Sequence, residues 1–286
     1  MRIRLMPALL AILSFAAFPA RAADRFFTTS DGIRLHYIEA GRGHTIVLVP
    51  GWTMPAWIWS AQIADFARKF HVIAFDPRSQ GGSDLTWGGN EPLRRGRDIA
   101  ELIARLPDDP VLLVGWSLGV LDSLSYLHQY GDARLAGLVL VDNSVGEDPP
   151  PPPERTVRRF GLRRLWPVPR AVSVRAFVRG MFVRPPPPAY VDRLTEASLR
   201  TPAAVAAQLL AYPLPRSFWR EAVYSTTRPI LYIVRPRLGG QAANLALRDP
   251  AAETIVLAGV GHAMFAEDPA RFDTLLADFI QRRVWR

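Results

Sequence analysis

The chain has 286 residues, 49% of them apolar, no cysteine, and a formal charge of +9 carried almost entirely by arginine, Lys69 being the one lysine. Without cysteine there are neither disulfide staples nor thiolate metal sites, so stability has to come from burial of a core. The basic excess is modest and accompanies no nucleic-acid-binding module, and the length suits one α/β domain carrying an insertion.

Met1-Arg2-Ile3-Arg4 is a short basic start, Leu5 to Phe18 is almost wholly apolar, and Ala20-Arg21-Ala22 has the small-x-small form that signal peptidase reads. The run is too short for a helix to cross hydrocarbon, which takes about 20 residues. Residues 1–22 are therefore expected to be a cleaved signal peptide and the mature protein periplasmic or secreted, an uncleaved anchor being the alternative. Loss of Arg2, Arg4 and Arg21 brings the charge to about +6.

Phe26 to Thr29 and Ile33 to Ile38 flank Ser30-Asp31-Gly32, which predicts an opening β-hairpin. Short apolar runs follow at Ile46–Val49, Val72–Phe75, Val111–Val114 and Leu138–Val141, and, after a long interruption, at Ile230–Val234 and Thr254–Leu257. Strands apolar on both faces belong in a parallel sheet covered on both sides. Apolar residues recur at three- and four-residue intervals over Ile63–Phe70, Ile99–Leu106, Leu121–Tyr130 and Phe272–Ile280, which predicts the covering helices. The fold class is α/β, a mostly parallel doubly wound sheet.

The interruption, residues 146–227, contains proline runs at Pro149–Pro153 and Pro185–Pro188 and no apolar strand run. Such runs act as stiff connectors around short helices. The expectation is a helical, Pro-rich lid inserted before the penultimate strand, with residues 23–145 and 228–286 forming the core. Between Arg155 and Arg184 arginines alternate with Phe160, Leu162, Leu165, Trp166, Phe177 and Phe182. A surface helix with a solvated arginine face explains this stretch; weak contact with a membrane or envelope polymer is the other reading.

Gly115-Trp116-Ser117-Leu118-Gly119 directly follows an apolar strand and precedes a helical pattern. A sharp strand-to-helix turn holds a serine in strained geometry there, and flanking glycines avoid clashes. A serine hydroxyl needs a base, and Gly259-Val260-Gly261-His262 supplies one after the last strand; His262 is the only histidine beyond His128. His128 lies inside the helix after Ser117 and faces away, while His36, His44 and His71 precede the turn. A developing oxyanion needs fixed donors, expected from the backbone N–H groups of Leu118 and of Trp52 in Val49-Pro50-Gly51-Trp52. Helix capping by Ser117 and a loop role for His262 are the plain alternatives.

These motifs, with Phe75-Asp76-Pro77-Arg78-Ser79-Gln80-Gly81-Gly82-Ser83 resembling a D-x-R-G-x-G-x-S turn, make the chain similar to the α/β-hydrolase superfamily over essentially its whole mature length. The flavour is that of serine esterases, lactonases and cofactor-free haloperoxidases. Dehalogenase and epoxide-hydrolase members carry an aspartate where Ser117 stands. Pro50-Gly51 replaces the usual His-Gly, a mild departure because the donor is main chain. The acid departs further: the resemblance implies one after the strand at 230–234, but Val234-Arg235-Pro236-Arg237-Leu238-Gly239-Gly240-Gln241 holds no carboxylate, and Asp249 lies beyond a helix. Some members place the acid at the end of the preceding strand, so Asp142 is assigned, the alternative being a turn-capping aspartate as for Asp76.

The resemblance implies an acyl-enzyme on Ser117 and a small-molecule, apolar, ester-like substrate, with no metal or organic cofactor. Trp52, Trp57, Trp59 and Trp116 suggest an aromatic pocket, Trp57 and Trp116 being the chosen candidates, with core packing as the alternative. A perhydrolase or amidase using the same triad, and a non-catalytic binding protein of this fold, are the competing readings; labelling of Ser117 by a fluorophosphonate separates the last.

Overall fold

The computed structural model of the chain describes residues 22–150 and 168–285. The signal-peptide assignment over residues 1–21, the proline run beyond Pro150 and the arginine-rich stretch up to Pro167 lie outside the described residues.

An eight-stranded sheet runs through the molecule in the order β1-β2-β4-β3-β5-β6-β7-β8. Its strands are β1 (Ala23–Thr28), β2 (Arg34–Gly41), β3 (Thr45–Val49), β4 (His71–Phe75), β5 (Val111–Trp116), β6 (Leu135–Val141), β7 (Ile230–Val234) and β8 (Glu253–Val256). β1 and β2 form the hairpin read from the sequence, closed by Thr29 N–H donating to the Ile33 carbonyl, with Gly32 at φ 80°. β2 pairs antiparallel with β4; all pairings from β4 to β8 are parallel. The α/β class is as the apolar runs imply: every residue of β3, β5 and β7 is buried, as in a sheet covered on both faces.

Alternation along each strand divides the core in two. Ile46, Leu48, Leu112, Val114, Val139, Val141, Leu231 and Ile233 face α1 (Ser60–Phe66), α10 (Pro269–Phe279), α4 (Arg170–Gly180) and α5 (Pro188–Leu199). Val47, Val49, Leu113, Leu138, Leu140 and Tyr232 face α2 (Pro92–Ile103), α3 (Leu118–Tyr130), α6 (Ala203–Leu209), α7 (Arg216–Tyr224) and α8 (Gly239–Arg248). A wholly buried side chain such as Leu124 stabilises this arrangement by about 1.5–3 kcal/mol. The short helix α9 (Met264–Glu267) lies between β8 and α10. Between β6 and β7 the described residues hold only the helices α4 to α7. Among the described residues no helix is long and apolar enough to cross a membrane.

Helix α2 begins at Pro92, earlier than the periodicity from Ile99 indicates. Its first turns are held by buried charge: Arg95 pairs with Asp122 of α3 at 2.8 Å, and Asp98 receives Arg78 at 2.5 Å and Arg94 at 2.9 Å. The chain goes from β3 to β4 on one side and then to β5 on the other. The carboxyl ends of β3 and β5 therefore flank the point where the winding reverses, the usual crevice of an open α/β sheet.

Candidate active site

Ser117 joins the last residue of β5 to the first of α3 with φ 54° and ψ −118°. A non-glycine residue stays there only where its surroundings dictate it. Its N–H donates to the Val141 carbonyl at 2.9 Å, and its carbonyl accepts from the Val120 N–H at 3.0 Å and from Asn143 Nδ2 at 2.8 Å. The reversal is tight: a Cβ on Gly119 would stand 2.4 Å from the Val49 carbonyl oxygen. Close backbone approach thus explains the glycine beside the serine.

His262 follows β8 in a loop with three tethers. Trp116 Nε1 donates to the His262 carbonyl at 2.8 Å, Ala263 N–H to the Met181 carbonyl at 3.0 Å, and Gly261 N–H to Glu267 Oε2 at 2.8 Å. The ring then spans Ser117 and Asp142, with Nε2 2.8 Å from Ser117 Oγ and Nδ1 2.6 Å from Asp142 Oδ2. Asp142 sits at the end of β6 with φ 51°, and its N–H donates to the Ile233 carbonyl of β7 at 2.9 Å. Its side chain has no exposed surface.

Burial by itself would raise the Asp142 carboxyl. The bond from His262, the charges of His262 and Arg235, and the Arg235 N–H outweigh it and hold the group below the usual carboxylate range. An ionised carboxylate only accepts, so His262 Nδ1–H is the donor to Asp142 and Nε2 is left to accept from the Ser117 hydroxyl. Arg235 Nη2 lies 3.3 Å from His262 Nδ1; two N–H donors cannot bond one another, so this contact reflects their convergence on Asp142 Oδ2, which Arg235 Nε reaches at 2.5 Å.

A Cβ on Gly51 would lie 2.9 Å from Ser117 Cβ, so the loop after β3 passes directly against the serine. Trp52 N–H follows immediately, and Leu118 N–H opens α3, where no intrahelical acceptor exists. Among the described residues neither donor has an acceptor. The loop is fixed from behind. Thr53, at φ 58°, donates its N–H to Gln80 Oε1, and its hydroxyl pairs with Ser198 Oγ of α5 at 2.6 Å.

The tryptophans divide. Trp52 Nε1 donates to the Ala206 carbonyl of α6 at 2.8 Å, and its ring meets Phe177 of α4 edge-on at 5.0 Å. Trp57 is partly buried, edge-on to Tyr190 of α5 at 5.8 Å and beneath the Arg193 guanidinium at 4.0 Å. Trp116, chosen from the sequence as a pocket candidate, instead packs in the core: it is 1% exposed, lies 5.1 Å from the His262 ring and 5.0 Å from Phe265, and anchors the histidine loop. Trp59 is likewise core, stacked on Phe265 at 3.7 Å.

Asp76 caps its own turn, accepting from the N–H groups of Ala56 and Gly82 and pairing with His36. Asp249 accepts the Ala251 N–H at 3.0 Å, within the turn after α8. Three residues that hold the site were not singled out as such by sequence reasoning. Gln80 was quoted only within a motif, Arg235 only as part of a loop without a carboxylate, and Glu267 not at all. A glutamate two residues before Pro269 carries no local signal of reaching back to a histidine loop.

Comparison with known proteins places this geometry in context. The model of the alpha/beta hydrolase family matches residues 46–274. Among curated proteins, the chain is 35% identical over 105 residues to a soluble epoxide hydrolase of Corynebacterium sp. (strain C12), a match covering 37% of this chain and 36% of that one. It is 31% identical over 117 residues to a non-heme haloperoxidase of Rhodococcus erythropolis, covering 41% and 43%. The chain thus matches only about two fifths of the length of these relatives. Among solved structures, an esterase from Rhodococcus sp. ECU1013 superposes with a TM-score of 0.73 at 24% identity, covering 93% of this chain and 100% of that one.

Proposed function

This chain belongs to the alpha/beta hydrolase family, and within it we propose that it is a serine hydrolase cleaving carboxylic ester or lactone bonds through an acyl-enzyme on Ser117. The observation that carries the reading is the continuous hydrogen-bonded chain from Ser117 Oγ through His262 to Asp142 beside two uncommitted main-chain donors. In the proposed reaction Ser117 Oγ attacks the carbonyl carbon while His262 Nε2 takes its proton. The oxyanion lies between Trp52 N–H and Leu118 N–H, and the leaving alcohol receives the proton from His262 as the ester bond breaks. Water, deprotonated by the same imidazole, then attacks the acyl carbon and restores Ser117. Asp142 holds the ring in its working tautomer and stabilises the imidazolium.

The insertion over residues 146–227 is proposed as the lid of the substrate site. Contacts of Trp52 with Ala206 and Phe177, and of Trp57 with Tyr190, support this. An apolar, small-molecule ester suits these aromatic walls. Export to the periplasm or outside the cell is proposed from the leader-like start alone.

The test is hydrolysis of short and medium chain p-nitrophenyl esters by the wild type beside Ser117→Ala, His262→Ala and Asp142→Asn, with fluorophosphonate labelling of each. Activity and labelling are expected to vanish with Ser117→Ala and His262→Ala, and kcat to fall about 10⁴-fold in Asp142→Asn. A wild type that neither hydrolyses these esters nor labels sinks the proposal. Resolution of the acyl-enzyme by hydrogen peroxide is a second reading, favoured by the similarity to a non-heme haloperoxidase; peracid formation in the same assay distinguishes it.

A further inference from the structure

The loop after β7 lacks the carboxylate that the sequence pattern led us to seek there, and it places Arg235 against the carboxylate supplied by β6. Arg235 grips Asp142 twice, through Nε at 2.5 Å from Oδ2 and through its own N–H at 3.0 Å from Oδ1. His262 Nδ1 reaches the same Oδ2 at 2.6 Å. Side chain and main chain of one residue thus hold both oxygens of a carboxylate that has no exposed surface, while the Arg235 side chain is 22% exposed. A carboxylate bonded to His262 alone could swivel about its Cβ–Cγ bond; bonded at both oxygens, it is locked in the plane that presents Oδ2 to the imidazole.

From this arrangement we infer that Arg235 is a positioning residue of the proposed catalytic centre, its Nε–H fixing Asp142 Oδ2 where His262 Nδ1–H reaches it. The proposal rests on the serine hydrolase reading above. The charged and titratable groups around the His262 loop are few. Asp142 comes from β6 and Arg235 from β7, and Tyr232 of β7 turns its hydroxyl away to the Asn143 carbonyl at 2.7 Å. Behind the loop, Glu267 pairs with Arg184. Ser117 completes the set. Of these, Arg235 is the cation that meets the ring directly, with Nη2 3.3 Å from Nδ1.

Arg235→Gln removes the charge and Arg235→Lys keeps it without an Nε–H, while both keep the main-chain N–H on Oδ1. In Arg235→Gln, which loses the Nε–H bond to Oδ2, kcat is expected to fall at least tenfold while KM stays within about twofold. In Arg235→Lys the kcat plateau is expected to fall about tenfold, because the ammonium cannot take the Nε position beside Oδ2 and the main-chain N–H on Oδ1 is left to orient the carboxylate from one side. An Arg235→Gln variant with the wild-type kcat overturns the proposal. An Arg235→Lys plateau equal to the wild type overturns the positioning part, and this outcome is readable even if the glutamine variant fails to fold. The His262 Nδ1–H proton resonance, compared by NMR at one pH in wild type and variants, reads the bond to Asp142 without turnover and is expected to move in both variants. A wild type inert to esters and to the phosphonate probe refutes the hydrolase reading, whereas an unmoved Nδ1–H resonance in a folded Arg235→Gln protein refutes the part given to Arg235.

Discussion

Glu267 ties the histidine loop to the helical insertion, and its removal has a calculable effect. Its Oε2 accepts Gly261 N–H at 2.8 Å and Val183 N–H at 2.9 Å, and its Oε1 accepts Arg184 N–H at 3.1 Å. Glu267→Ala leaves three main-chain donors unpaired. A buried unsatisfied N–H costs about 1–3 kcal/mol. Gly261 is buried and takes about 2 of these. Val183 and Arg184 are exposed, so water compensates in part and each contributes ~0.5–1 kcal/mol. The expected loss is therefore about 3–4 kcal/mol for Glu267→Ala. Glu267→Gln keeps one oxygen for Gly261 and Val183, and is expected to lose about 1 kcal/mol. Urea unfolding at constant pH measures both. At a temperature where each variant remains folded, kcat/KM for a p-nitrophenyl ester is expected to fall at least tenfold in Glu267→Ala, since Gly261 adjoins His262 and small displacements of a base are costly. An alanine variant within ~0.5 kcal/mol of the wild type refutes the stability argument. A destabilised variant with unchanged kcat/KM refutes the link from Glu267 to the base.

Burial raises the Asp273 carboxyl from 3.8 to about 6, against the bond from Gln62 and with the repulsion of Asp65. Because the folded value lies above the unfolded one, its stabilising contribution is complete below pH ~4 and is lost as pH rises to about 6. Asp273→Asn is accordingly expected to be more stable than the wild type above that pH by ~1 kcal/mol, the figure being discounted for partial exposure. That advantage should vanish below pH ~4, and thermal unfolding across this range would contradict the account if the gain were independent of pH. Trp52→Phe removes the indole bond to Ala206 and keeps the main-chain donor. About 1 kcal/mol of stability should go while kcat/KM stays within about threefold; a hundredfold loss would transfer the role to the indole. Gly119→Ala drives a Cβ to 2.4 Å from the Val49 carbonyl oxygen. It is expected to cost about 3 kcal/mol, read as a lower unfolding midpoint, and an alanine variant as stable as the wild type would refute the close-approach argument.

The strands were legible because a sheet buried on both faces has to be apolar along its whole width, as at Leu112 to Val114 and Ile230 to Val234. The helix opening at Pro92 was legible only in its second half, since its first turns bury Arg95 and Asp98 as ion pairs, and charge in an interior defeats hydrophobic periodicity. Ser117 and His262 are singled out by the glycines and strands around them, and the structure brings them to hydrogen-bonding distance. Asp142 is singled out by its place at a strand end, and the structure sets it 2.6 Å from His262 Nδ1. Arg235 stands at the corresponding end of the neighbouring strand, yet which side chain there turns inward depends on strand-end geometry that no local pattern encodes. Trp116 shows the opposite failing: an aromatic beside a nucleophile suggests a pocket wall, while its direction off the strand puts it in the core.

The helices between β6 and β7 are bonded to both sides of the reacting centre. Ala206 and Ser198 hold the Trp52-Thr53 loop, and Met181, Val183 and Arg184 hold the loop of His262. Under the proposed lid and triad, substrate preference and turnover are therefore not separable traits. On that reading, grafting the corresponding segment of a relative onto the remaining scaffold would exchange the proposed walls of the site and, in the same stroke, the placement of the Trp52 and His262 loops, so a graft selected for a new substrate would have to restore these five anchors before its rate could follow.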